Sequence, residues 1–298
     1  MGKPGQIIQD YVDRAFGRFV DLRAEGEPPL TPWTPPPAAG LARVEEHLAD
    51  RYGVVVKKLT PLDCGVYRLD RGDGSSWVAR VFPRARSVAA VKADAEVLRF
   101  LESHDFPSER LADDAPISEV DGHRILVTAF VAGKPPGGTA VTGKWQGDAL
   151  GRLHTLPLEG APKRAGGGWH SLSLDGGGRA ADFAILFELL DDLRRIAPPT
   201  DRKHVDALVG ALEATDLCED LPQCLVHVDF GGPNLLKSPD GSFTVIDWTG
   251  SGRGPRIESV AAVLGPLPAT AQKAAIAAYR QHVQPTDDEL GRLEGTLL

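Results

Sequence analysis

The ten residues His227 to Leu236, HVDFGGPNLL, and the aspartate at 247 constrain this chain more than any other stretch. They read as His-x-Asp-x₄-Asn, a short hairpin, and then a carboxylate. Leu235-Leu236-Lys237 is apolar enough to open a strand, and Ser238-Pro239-Asp240-Gly241 is turn chemistry. Phe243-Thr244-Val245-Ile246 is a β-branched and aromatic run suited to the return strand. Folding at Asp240-Gly241 brings Asn234, just before the first strand, beside Asp247, just after the second. An amide oxygen and a carboxylate at one hairpin mouth can hold a hard cation such as Mg²⁺, which takes oxygen ligands and keeps waters and phosphates. Asp229 lies five residues before Asn234 on the tight loop leading in, where it can accept a proton from an incoming hydroxyl.

The spacing of His227, Asp229 and Asn234 resembles the protein-kinase catalytic loop, with Asp247 in the place of its metal-binding aspartate. Ile246-Asp247-Trp248 is similar to the second motif of the aminoglycoside phosphotransferase family, the small-molecule kinases that share the protein-kinase fold. The resemblance covers about residues 41–285, with specific motifs only at 227–234 and 246–248. It implies an α+β, protein-kinase-like fold of two lobes, a small antiparallel sheet with one helix and a larger, mostly helical lobe. The corresponding boundaries are an extension at 1–40, a nucleotide-binding lobe at 41–132, and a catalytic and substrate-binding lobe at 133–298.

The same resemblance assigns roles. Asp229 would orient and deprotonate a substrate hydroxyl, with His227 bracing the loop, and Asn234 and Asp247 would hold Mg²⁺ across the phosphates of ATP. The adenine would pair with the Ala129 carbonyl and the Val131 amide at the hinge. The loop over the phosphates falls at Pro61-Leu62-Asp63-Cys64-Gly65 and carries only Gly65. Arg80 stands where the family carries a basic residue on the third strand, commonly lysine. A charge on an inner strand face needs a partner. On the helix after Ser87, Asp94 shares a face with Leu98 and Leu101, whereas Glu96 is rotated about 200° away. Asp94 is therefore the expected partner of Arg80. The family also commonly has an aspartate, bracing the catalytic loop, where this chain has Ser259.

Composition sets the class of partner. With a net charge of −8, the chain lacks the basic face that nucleic-acid phosphates require. Its 42% hydrophobic and 25% charged residues match a soluble globular protein, and no apolar run reaches membrane-spanning length. Three cysteines in no metal spacing, and charges throughout residues 1–22 in place of a signal peptide, point to the cytoplasm. The expected partner is a small hydroxyl-bearing molecule.

Local patterns place the remaining elements. Residues 6–22 have helical spacing, as a helix that packs on the body or mediates dimerisation, and a proline-rich stretch follows at 28–37. A short helix is expected from Leu41 to Asp50, and strands at 54–59, 66–69, 77–82 and 125–131. Helices are expected at 87–103, 144–155, 182–196 and 204–214, with a glycine-bracketed loop at 166–178. Gly138 to Lys144 imitates the start of a P-loop, but Trp145 stands where Ser or Thr should bind the metal. Two rivals remain, a non-catalytic nucleotide- or ligand-binding module and a protein kinase. Against the latter, Gly231 replaces the lysine of Ser/Thr kinases, and no Ala-Pro-Glu follows Asp247.

Overall fold

Alternation at period two organises the sheet. In β3 (Trp77–Val81), Trp77, Ala79 and Val81 are buried on one face while Val78 and Arg80 turn to the other. With β1 (Val56–Asp63), β2 (Val66–Arg71), β4 (Ile117–Val120) and β5 (His123–Ala129), it forms an antiparallel sheet of order β1-β2-β3-β5-β4. The β4–β5 turn is Asp121-Gly122, both at positive φ (53° and 78°), the conformation that tight hairpins favour. The computed structural model describes residues 38–166, 178–215, 217–227 and 229–296. The expected helix at 6–22, the proline-rich stretch and nearly all of the glycine-bracketed loop lie outside the described residues.

Two helices serve this sheet. Helix α1 (Ala38–Tyr52) sets Val44 and Leu48 against Leu69, Ala79, Ile125 and Val127. Helix α2 (Val88–Ser103) contributes Val91 and Ala95 to a cluster with Phe82 and Leu126. Its start is set by Ser87, whose side chain accepts from the Ala90 amide, as a serine N-cap should.

The larger part is helical: α3 (Ala140–His154), α4 (Gly178–Ile196), α5 (Pro199–Glu213), α6 (Arg256–Leu264), α7 (Ala269–Tyr279) and α8 (Asp287–Thr296). Two ladders complete it, β6 (Gln223–Val226) with β9 (Gly252–Pro255), and β7 (Leu235–Lys237) with β8 (Phe243–Val245). The P-loop-like stretch is the start of α3, capped by Thr139 and begun at Ala140, four residues before the expected Lys144. Its glycine serves packing. A Cβ at Gly143 or Gly147 would collide with the carbonyls of Ala271 or Ala275, so α3 and α7 touch backbone to backbone. At the far end, Thr286-x-x-Glu289 forms a capping box for α8, and Glu289 also receives a forked pair of bonds from Arg256. No helix among the described residues is long and apolar enough to cross a membrane.

Candidate active site

The hairpin forms as its turn chemistry dictates. Leu235 pairs with Val245, and the Ser238 amide closes onto the Ser242 carbonyl across Asp240-Gly241, with Gly241 at φ 89°. The Ile246 amide donates to the Asn234 carbonyl at 2.9 Å, which sets Asn234 next to Asp247. Asn234 Nδ2 donates to Asp229 Oδ2 at 2.8 Å and to the Asp229 carbonyl at 3.2 Å. The amide nitrogen is thereby committed to the loop, leaving Oδ1 as the atom turned to another partner.

His227 braces this loop from beneath. It is fully buried; its Nδ1 accepts from the Asp229 amide at 3.1 Å, so Nε2 carries the proton and donates to the Ile246 carbonyl at 3.0 Å. Burial lowers its pKa against the pull of the Ile246 carbonyl, Asp247 and Asp229, which suits a neutral imidazole. Trp248 packs edge-on against both His227 and Phe106 and donates from Nε1 to the Val245 carbonyl. Gly231, at φ 133°, lies so near Gln146 that a Cβ there would sit 2.8 Å from Nε2. Ser259 is buried with no partner for its Oγ among the described residues. The loop is held instead by His227 and Asn234.

Asp247 adopts φ +64°, a left-handed conformation that costs an L-residue roughly 1–2 kcal/mol. Its carboxylate lies 3.0 Å from Arg80 Nη1. Burial opposes the charge of Arg80, and the carboxylates of Asp247, Glu109 and Asp94 more than offset it, so its pKa is raised.

The pairing of Arg80 with Asp94 is corrected by this geometry. Asp94 is buried on the core side of α2 as its periodicity requires, but its oxygens are taken by other donors. Arg86 Nη2 reaches Oδ2 at 2.8 Å, while Arg164 Nη2 and the Gly250 amide reach Oδ1 at 2.5 and 3.0 Å. Both oxygens of this aspartate are engaged by nearer donors, and the contact of Arg80 is Asp247. Arg164 also binds the carbonyls of Ala90 and Ser251, tying α2 to the segment after Asp247.

Gly65 occupies the β1–β2 turn at φ 69°, and its carbonyl accepts from the Val81 amide, next to Arg80. At the end of β5, the Ala129 amide is bonded to the Arg110 carbonyl, and the Phe130 amide to the Ser76 carbonyl. The Val131 amide meets no protein acceptor among the described residues. Sequence reasoning passed over Glu109 and Arg164. Glu109 accepts from the Asp247 amide at 2.7 Å and from Thr128 Oγ1 at 2.9 Å. Burial pushes its carboxyl up, with Arg80 pulling the other way. Both residues lie in irregular segments with no periodicity to mark an inward side chain.

An antiparallel sheet hinged to a helical body, with Asp229, Asn234, Asp247 and Arg80 gathered at the seam, defines a kinase-like architecture. The chain belongs to the phosphotransferase enzyme family, whose model matches residues 65–294. Its fold is shared with the amicoumacin kinase hAmiN in complex with AMP-PNP, Ca²⁺ and Ami (16% identity, TM-score 0.60, covering 87% of this chain and 84% of that one). It is also shared with the macrolide 2'-phosphotransferase MphH from Brachybacterium faecium (18%, 0.56, 85% and 87%). A third similar structure is aminoglycoside phosphotransferase APH(3'')-Id from Streptomyces rimosus with ADP and streptomycin (20%, 0.55, 87% and 98%). No curated protein matches the chain.

Proposed function

We propose that this chain is a cytoplasmic, ATP- and Mg²⁺-dependent phosphotransferase that moves the γ-phosphoryl group to a hydroxyl of a small molecule, such as an antibiotic, sugar or amino alcohol. The observation that carries this reading is the Asn234–Asp229 hydrogen bond at 2.8 Å beside Asp247, a base and two oxygen ligands at one hairpin mouth. Asp229 Oδ accepts the hydroxyl proton as the new O–P bond forms and ADP leaves. The donor set fits a hard cation: Asp247 would supply a carboxylate and Asn234 an amide oxygen, the oxygen ligands such a cation takes. When bound, Mg²⁺ neutralises phosphate charge in the transition state. Arg80 grips the phosphates from the sheet side under the turn at Gly65, and the hinge backbone at Ala129 and Val131 takes the base. Residues 41–132 serve as the nucleotide lobe and 133–298 as the catalytic lobe.

Related structures solved with AMP-PNP and Ca²⁺, or with ADP and streptomycin, support both halves of the reading, nucleotide and small acceptor. The test is phosphate transfer from ATP across hydroxylated antibiotics, sugars and amino alcohols. Transfer to one acceptor class is expected. Binding of Mg·ATP with transfer to none would instead mark a nucleotide-binding module.

A further inference from the structure

The segment between α2 and β4 delivers a buried acid to the metal-ligand end of the site. Val245 donates to the Pro107 carbonyl at 2.8 Å, and Glu109 donates from its amide to the Val245 carbonyl at 3.1 Å. Residues 107–109 thus run alongside β8 and carry Glu109 to Asp247. Glu109 is 6% exposed, and both its oxygens accept: Oε1 from the Asp247 amide, Oε2 from the Thr128 hydroxyl. Thr128 precedes Ala129 on β5, so one carboxylate bridges the hinge strand and the hairpin mouth.

A left-handed Asp247 persists only if its surroundings hold it there, and the bond from its amide to Glu109 does so.

We infer that Glu109 is a positioning residue: bonded to the Asp247 amide and to Thr128, it fixes the turn that aims Asp247 at a cation. The inference rests on the phosphotransfer reading and deepens it. Glutamine at 109 has a single acceptor oxygen where the carboxylate has two, so it cannot satisfy both donors.

The test is Mn²⁺ affinity of the full chain with AMP-PNP, followed by electron paramagnetic resonance without turnover. Glu109→Gln should weaken Mn²⁺ binding at least tenfold while metal-free AMP-PNP binds no more weakly than to the parent. Thr128→Val, which frees one side of the carboxylate and keeps its charge, should weaken Mn²⁺ about threefold. It decides the matter if Glu109→Gln does not fold. Unchanged Mn²⁺ affinity in the folded variants, or an equal loss of metal-free nucleotide binding, overturns the inference alone. A parent chain that binds no Mn·AMP-PNP overturns the phosphotransfer reading and this inference with it.

Discussion

Arg80 Nη1 lies 3.0 Å from Asp247 Oδ1, so the cation of the sheet and the carboxylate at the hairpin mouth meet directly across the seam. In the proposed mechanism, phosphate binding by Arg80 and cation binding by Asp247 would each compete with this pair. Removing Asp247 therefore acts on the two in opposite directions. Asp247→Ala should abolish the Mg²⁺-dependent part of ATP affinity and leave metal-free binding equal or tighter, because Arg80 is released. Calorimetry with and without Mg²⁺ separates the two, and an Mg²⁺ dependence equal to that of the parent would place the cation elsewhere.

Asp229 presents its carboxylate to solvent at the loop tip, where Asn234 Nδ2 holds it. Asp229→Asn keeps the shape and removes the base. Transfer should fall by roughly 10²–10⁴, the usual contribution of a positioned general base. Nucleotide affinity should stay within about threefold. Turnover within about twofold of the parent would remove Asp229 from the mechanism.

The hairpin, its turn and the three polar residues around it were legible in the sequence because every determinant is local. Turn residues, β-branched strands and loop spacing all lie within 21 residues, from His227 to Asp247. The burial of Asp94 was legible too, since helical period alone turns it inward. Its partners were not. Arg164 comes from a loop 70 residues away and Arg86 from an irregular turn, and no pattern in the chain announces that they outcompete Arg80. Glu109 escaped for the same reason, being defined by its reach to Asp247, 138 residues on. The start of α3 was placed late because Gly143 lies in the P-loop-like stretch and read as part of a loop, whereas it allows close contact with α7, as Gly147 does.

Asp94 carries the junction of α2 with the helical body, so its loss should appear in stability. It is 1% exposed, and Arg86 beside it is fully buried. Asp94→Asn keeps the volume and removes the carboxylate charge that Arg86 and Arg164 share, a change that costs about 3–5 kcal/mol for a buried pair. Urea unfolding measures it. A loss below about 1 kcal/mol would mean that Arg86 and Arg164 are satisfied without the carboxylate's charge.

His154 gives the fold an acid limit far from the active site. It ends α3, is 8% exposed, and shares a hydrogen bond of 2.9 Å with the Tyr279 hydroxyl. Burial, then the charge of Arg256, lowers its pKa to about 3, with Glu289 as the opposing carboxylate. The folded chain thus prefers a neutral imidazole, whereas the unfolded chain protonates near its ordinary value of 6.5. Between these two values the unfolded state binds one more proton, so stability is full above about pH 6.5 and declines as pH falls toward 3. The slope from this one group is about 1.4 kcal/mol per pH unit. His154→Asn keeps an acceptor for Tyr279 and cannot titrate. Unfolding free energies measured from pH 4 to 7 should therefore lose close to one proton of slope in the variant. Parallel curves for parent and variant would show that His154 is protonated, or reachable by water, in the folded state.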